Sequence, residues 1–136
     1  MNKIEGHIVS ITSSENISLV DITSVAGNLS AIVIGTPQTL PYLKENQSIW
    51  AVFKESEVSL GKNVSGLISL RNQLECKVLT IEHGIIFSKI SLNSNGNLIT
   101  SLITTRSAKR LSIEPGDSVT AFIKANEVLL MLPDHD

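Results

Sequence analysis

Hydrophobic and polar residues alternate along most of the chain, which is the pattern of β-strands with one buried face. In the first half the alternation runs through residues 7–11 and 17–22, and in the second half through 87–92 and 98–103. The last two segments flank a polar cluster at 93–97 that contains an Asn-Gly pair, a strong signal for a tight hairpin turn. The pattern therefore predicts a chain made of strands and turns.

The chain also repeats itself. When the sequence is aligned with itself at an offset of 70 residues, its first half matches its second half without a gap. Segment 48–54 then aligns with 118–124, and apolar residues align with apolar residues. A repeat of this kind indicates two copies of one fold. We therefore expect a first unit at 1–62 and a second unit at 67–136, joined by a polar segment flanked by glycines.

Each copy holds five predicted strands. Five strands in a unit of about 60 residues leave few open edges only when the sheet closes on itself. The sequence therefore predicts an all-β protein of two tandem, small, OB-like antiparallel five-stranded barrels. Because a unit of this size buries a modest core, we expect it to pack against its own repeat and to form a homo-oligomer with other chains.

A short helical turn is predicted at 107–111, with Ser107 as its N-cap. The corresponding segment of the first copy lies between Pro37 and Pro41, which favours an irregular turn there.

Composition and charge narrow the classes of function. The chain has 11 basic and 13 acidic residues, a formal net charge of −2, whereas a surface that binds nucleic acid is usually basic. Aromatic residues make up only 4% of the chain, which weakens the case for base stacking. Both features argue against a protein that binds nucleic acid directly.

Cysteine, histidine and hydropathy exclude further classes. The one cysteine, Cys76, excludes an intrachain disulfide, and the histidines at 7, 83 and 135 are too scattered for a zinc site. The start of the chain has no apolar signal region, and no segment has the apolar length of a membrane span. We therefore expect a cytoplasmic protein with no membrane partner.

The sequence contains no recognisable catalytic pattern. No serine lies in a G-x-S-x-G elbow, and the glycines form neither a P-loop nor a dinucleotide fingerprint. Carboxylates that recur at equivalent positions of the two copies, such as Glu5 and Glu75, are typical of strand edges. We expect a binding protein rather than an enzyme, with no cofactor.

Four segments of the second copy occur in the order and spacing of a known family. The opening, Ser-Leu-Arg-Asn-Gln-Leu at 69–74, resembles the S-A-R-N-Q-L opening of the molbindins, the Mop (TOBE-type) domains that bind molybdate. Segments 102–107, 111–119 and 120–128 are similar to the family's I-T-x-x-S, L-x-L-x-x-G-x-x-V and A-x-x-K-A-x-x-V motifs. Two fused copies resemble the tandem di-Mop molbindins and the effector portion of the molybdate-responsive regulator.

The resemblance implies an oxyanion site, with molybdate or tungstate as its ligand, at an interface between barrels. Carried over position by position, the site residues are Ser69, the backbone N–H of Leu70, Arg71, Thr104, Ser107 and Lys124. Leu70 replaces the family's alanine. Whether one chain or two supply these residues depends on assembly.

These residue types suit a tetrahedral dianion, whose four oxygens all accept hydrogen bonds. Arg71 and Lys124 offer two positive charges, and the hydroxyls of Ser69, Thr104 and Ser107 are neutral donors. A helix start at Ser107 adds free N–H groups. The alternative is that the two bases are solvated strand charges and that the hydroxyls are ordinary strand residues.

The first copy departs from the motif. Its start has no Ser-x-Arg-Asn, residues 34–37 replace the Thr104–Ser107 segment, and of the site residues only Lys54 survives, at the position of Lys124. We expect the first copy to be a scaffold without a complete site of its own.

Three functions compete at this stage. The favoured one is a cytoplasmic protein that binds molybdate or tungstate for storage, buffering or homeostasis. The alternative is a ligand-sensing module that regulates a molybdate transporter or transcription in trans, and an OB-type module that binds nucleic acid is third. The di-Mop resemblance implies a trimer, and the regulator resemblance implies a dimer.

Overall fold

The structure, a computed structural model, describes residues 1–133, and His135 lies outside the described residues. The first copy contributes β1 (Asn2–Ser14), β2 (Ile17–Ser24), β3 (Gly27–Ile34), β4 (Ser48–Phe53) and β5 (Ser59–Gly61). The second copy contributes β6 (Asn72–His83), β7 (Phe87–Ser94), β8 (Asn97–Thr104), β9 (Ser118–Ile123) and β10 (Leu129–Met131). Helix α1 (Thr105–Arg110) follows β8, and single 3-10 turns at Glu55–Glu57 and Ala125–Glu127 follow β4 and β9.

The strands form two five-stranded antiparallel sheets, in the orders β10-β4-β1-β2-β3 and β5-β9-β6-β7-β8. The prediction of an all-β protein with two five-stranded antiparallel sheets is confirmed. The end strands of each sheet also lie close to each other, β3 to β10 and β5 to β8, so each sheet curls towards closure.

The last strand of each copy belongs to the sheet of the other copy. Strand β5 pairs with β9, with Ser59 opposite Phe122, and β10 pairs with β4, with Leu129 opposite Val52. The sequence analysis did not foresee this exchange. The two repeat copies remain our proposed units of the chain, and each sheet takes its fifth strand from the other copy.

The long strands β1 and β6 curl because each contains a β-bulge at the same repeat position. Their residues alternate between buried and exposed, and the register shifts between Ile8 and Ser10 in β1 and between Val78 and Thr80 in β6. A bulge bends a strand and increases its twist, which lets one strand serve both neighbours of a curled sheet.

The hairpin between β7 and β8 turns at Asn95 and Gly96, as the sequence predicts. Their φ angles are 49° and 90°, and Ser94 lies opposite Asn97, which makes a two-residue turn of the type that Asn-Gly favours.

Aliphatic side chains fill the core, as expected from the scarcity of aromatic residues. The largest fully buried side chains include Ile4, Ile49, Leu92 and Ile99. Cys76 is buried too, and burial raises the pKa of its thiol to about 11, so it packs as a small apolar residue.

Helix α1 begins earlier than predicted. Thr104 is its N-cap and accepts a hydrogen bond from the Ser107 N–H at 3.1 Å, so the prediction that Ser107 caps the helix is wrong. In the first copy, residues 37–41 form turns without a helix, which agrees with the prediction from Pro37 and Pro41.

Candidate functional site

Arg71 and Lys124 lie at the same end of the second sheet. In the pairing of β6 with β9, Asn72 stands opposite Ile123, so Arg71 and Lys124 are the next neighbours across the two strands. Neighbours of this kind have Cβ atoms roughly 5 Å apart. Both side chains are exposed, so two positive charges lie at this end of the sheet.

Ser69 and Leu70 form the approach to β6 at this end. Ser69 is exposed, Leu70 is half-buried, and the Leu70 carbonyl accepts a hydrogen bond from the Gln73 side chain at 2.9 Å. The structure thus brings together four of the six predicted site residues: Ser69, Leu70, Arg71 and Lys124.

Thr104 and Ser107 lie at the opposite end of the sheet. Thr104 pairs with Phe87 at the start of β7, beside the pair of Ser88 with His83 at the end of β6. The 12-residue strand β6 separates this end from Arg71. One chain therefore holds the predicted donors in two separate groups.

Thr104 and Ser107 are joined to each other. The Thr104 hydroxyl donates to Ser107 Oγ at 2.9 Å, which leaves the Ser107 hydroxyl hydrogen to point elsewhere. The helix start offers fewer free N–H groups than expected, because the Thr105 N–H donates to the Ile86 carbonyl and the Ser107 N–H donates to Thr104.

A carboxylate that the sequence analysis did not include lies beside Arg71. Arg71 Nε donates to the Ser30 hydroxyl at 3.1 Å, and Ser30 in turn donates to Asp21 Oδ1 at 2.6 Å. Arg71 Nη2 is 3.7 Å from the same carboxylate oxygen, and Ser10 donates to the other oxygen at 2.9 Å. These residues line a pocket of about 270 Å³ where the two copies meet. The repeat alignment could have indicated this group, because Asp21 is charged whereas Ser91, at the equivalent position of the second copy, is not.

Asn72, the residue after Arg71, fastens the second copy to the first. It is fully buried, its Oδ1 accepts the Ser30 N–H at 2.6 Å, and its Nδ2 donates to the Ser30 carbonyl at 2.9 Å. Asn2 makes the same two bonds to Thr100, at 2.8 and 2.9 Å. The first copy has no complete Ser-x-Arg-Asn motif, yet its Asn2 aligns with Asn72 in the repeat. Because Asn72 holds the start of β6, it also fixes the backbone that carries Arg71.

The first copy has no match for the cluster around Arg71. Met1 stands at the Arg71 position, and Lys54 borders a pocket of about 160 Å³ that Glu57 and Glu127 also line. Two carboxylates in such a small pocket oppose an anion. That the first copy serves as scaffold remains a prediction, for which these carboxylates are an additional argument.

Exposed apolar residues flank both groups of predicted donors. Beside Thr104, the side chains of Ile85, Ile86 and Phe87 are 96%, 66% and 53% exposed. Near Lys124, a mostly apolar groove of about 570 Å³ runs between β3 and β10, and it is lined by residues that include Ile32, Ile34, Tyr42, Asn126, Leu129 and Met131. Apolar patches of this kind mark surfaces that bind a partner.

Among residues 1–133, no group of three histidine, cysteine or acidic side chains is placed to hold a metal ion. Within the same range, no helix has the length and hydrophobicity that a membrane span requires, and α1 is far too short.

Comparison with known proteins adds to this geometry. The TOBE domain family matches residues 68–130. Molybdenum-pterin-binding protein 1 of Clostridium pasteurianum is 38% identical over 65 residues, which are 47% of this chain and 96% of that protein. Molybdenum-pterin-binding protein MopB of Rhodobacter capsulatus is 31% identical over 108 residues, which are 78% of this chain and 40% of that protein.

One solved structure matches along nearly the whole chain. It is the cytoplasmic molybdate-binding protein ModG in a crystal form with molybdate bound, with a TM-score of 0.88 and 31% sequence identity over 97% of this chain and 96% of that one. These matches in sequence and in structure show that the chain belongs to the Mop/TOBE family of molybdate-binding proteins, in its tandem, two-copy form.

Proposed function

We propose that this protein binds molybdate, or tungstate, reversibly in the cytoplasm and serves to store or buffer the oxyanion without converting it. The observation that carries the proposal is the pair of exposed bases, Arg71 and Lys124, at one sheet end of a chain whose full-length fold matches a molybdate-bound relative. Two positive charges balance a dianion, and the guanidinium can donate two parallel hydrogen bonds to it.

The proposed site is completed by a second copy of the chain. Ser69, Arg71 and Lys124 come from one chain, and Thr104 and Ser107 come from its neighbour, because these groups lie at opposite ends of one sheet. The apolar residues beside each group supply the contact surface between the chains. A trimer of two-copy chains is the favoured assembly, and a dimer is the alternative.

The first experiment is a calorimetric titration with molybdate, tungstate, sulfate and phosphate. Arg71→Ala and Lys124→Ala should each weaken molybdate binding at least tenfold, because a charge-assisted hydrogen bond contributes about 1.5–3 kcal/mol. Lys54→Ala is the matched control, since Lys54 occupies the same position in the first copy, and it should bind like the wild type. Equal loss in Lys54→Ala and Lys124→Ala would contradict the assignment of the site to the second copy.

The second experiment tests whether two chains share each site. Arg71→Ala and the double variant Thr104→Ala/Ser107→Ala should each bind poorly alone. When the two variants are co-expressed at equal levels, about a quarter of the sites should regain a full donor set, because Arg71 of one chain then meets Thr104 and Ser107 of another. A mixture that binds no better than its components would contradict a shared site.

Storage and sensing in trans differ in their partners. If the protein only stores the oxyanion, affinity capture with and without molybdate should recover the same set of proteins. Capture of a transporter ATPase or a transcription factor only in the presence of molybdate would favour sensing.

A further inference from the structure

Asp21 lies beside the arginine that the proposed site uses, although it comes from the other copy. Its Oδ1 is 3.7 Å from Arg71 Nη2, which is within range of an ion pair but too long for a hydrogen bond. Asp21 therefore acts on the guanidinium mainly through its charge.

The direction of the Arg71 side chain is set by a neutral group. Arg71 Nε donates to the Ser30 hydroxyl at 3.1 Å, and Ser30 is held by its own bond to Asp21 at 2.6 Å. An uncharged oxygen at position 21 could also accept that bond from Ser30. The geometry thus separates the orienting contact from the charge.

The fold does not need a carboxylate at this place. Asp21 stands opposite Ser30 in the first sheet, and the equivalent residue of the second copy, Ser91, stands opposite Thr100 with the same pairing. The carboxylate is present only in the first copy, where residue 21 lies beside Arg71. At the equivalent place in the repeat, position 91 is a serine and Met1 takes the place of Arg71.

We propose that Asp21 is an affinity-setting residue, which weakens oxyanion binding by competing with the bound anion for Arg71. This inference rests on the proposed function. The Arg71 side chain is 64% exposed and that of Asp21 is 31% exposed, so their pairing is weak and a dianion can displace it. Once the dianion is bound, the nearby carboxylate repels it and speeds its release.

The size of the effect follows from Coulomb's law. A single negative charge a few ångströms behind the arginine repels a dianion by an amount that corresponds to about a tenfold change in dissociation constant, even in a water-like dielectric. Salt screens interactions between partly exposed charges, so the change should shrink as ionic strength rises.

The test compares Asp21→Asn with the wild type in calorimetric molybdate titrations at low and high ionic strength, together with dissociation rates. Asparagine can keep both local bonds, because its oxygen accepts from Ser30 while its amide donates to the Ser10 hydroxyl. Asp21→Ser, which introduces the residue found at position 91, is a second variant. Glu45→Gln, in an exposed turn, is the control for the loss of one negative charge.

We expect both Asp21 variants to bind molybdate about tenfold more tightly than the wild type at low salt, with slower release and a gap that narrows at high salt. Glu45→Gln should bind like the wild type. Unchanged or weaker binding in Asp21→Asn would overturn the role of Asp21 while leaving the proposed function intact. If the folded wild type and all variants fail to bind molybdate, the proposed function itself is wrong.

Discussion

Replacing Asn72 with alanine tests the pair of hydrogen bonds that fastens the second copy to β3. Asn72 is 0% exposed and its partner Ser30 is 3% exposed, so bulk water does not reach these groups in the native protein. The change removes an acceptor 2.6 Å from the Ser30 N–H and a donor 2.9 Å from the Ser30 carbonyl.

The magnitude can be worked out from these contacts. Each buried backbone group left without a partner costs about 1–3 kcal/mol, so the two groups of Ser30 together predict that Asn72→Ala lowers the free energy of unfolding by about 2–6 kcal/mol. This is a large part of the roughly 5–15 kcal/mol that stabilises an ordinary domain. Asn72→Asp should be at least as severe, because it places a second oxygen, and a buried charge, against the Ser30 carbonyl.

Urea unfolding at a fixed protein concentration measures this loss. Trp50 is the only tryptophan and lies in β4, so its fluorescence reports on the first sheet, while circular dichroism reports on both. Asn2→Ala removes the equivalent bonds to Thr100 and should give a similar loss. Gln73→Ala is the control, because the neighbouring amide makes only an exposed bond, and it should change stability by under about 0.5 kcal/mol.

The reasoning is refuted if Asn72→Ala shifts stability no more than Gln73→Ala does. It is also refuted if Asn72→Asp proves milder than Asn72→Ala, because the amide would then not be donating to the Ser30 carbonyl.

Three further predictions concern other parts of the fold. The backbone N–H of Glu114 and then the ammonium of Lys62 hold the pKa of Asp117 below its usual 3.8, so wild-type protein should be more stable than Asp117→Asn at pH 7, and urea unfolding should show this difference disappearing as the pH falls below about 4. Gly6→Ala should lower the unfolding free energy by about 1–3 kcal/mol in the same assay, because a Cβ there would lie 2.5 Å from the Thr23 carbonyl oxygen. Cys76 should resist a thiol reagent at pH 8 in the native protein and react quickly in urea, because its thiol is buried and its pKa is raised to about 11.

Each of these predictions has an outcome that would contradict it. Asp117→Asn should show its largest deficit at neutral pH, and a deficit that persists unchanged in acid would contradict the role of its charge. Gly96→Ala measures the cost of backbone conformation without crowding, because nothing lies near an added Cβ there. An unchanged free energy of unfolding in Gly6→Ala would contradict the predicted clash. Rapid labelling of Cys76 without urea would contradict its burial.

Much of the fold could be predicted from the sequence because the information is local. Alternating burial fixes which face of a strand turns inward, and the Asn95-Gly96 turn fixes the register of β7 and β8. The exchange of β5 and β10 could not be predicted in this way. Leu60 and Leu130, at the centres of the closing strands, are identical in the two copies, as are Val58 and Val128 just before these strands, so these positions carry no signal for one sheet over the other.

The same distinction applies to the candidate site, because only some of its residues could be predicted from the sequence. Motif positions and repeat alignment lead to Arg71 and Lys124, whose proximity follows from the pairing of β6 with β9. The distance from these bases to Thr104 depends on which end of β6 meets β7, and the approach of Asp21 depends on contact between the copies. Neither feature can be predicted from the spacing of residues within one segment.

The strand exchange makes the two halves of the chain mutually dependent. Residues 129–131 complete the sheet that begins at Asn2, and residues 59–61 complete the sheet that begins at Asn72. Covalent linkage keeps each donated strand at a high effective concentration near its acceptor, independent of how dilute the protein is. A severed half would have to recruit its missing strand from a second molecule, so the tandem chain keeps within one polypeptide an interlocking that separate halves could reach only by dimerising.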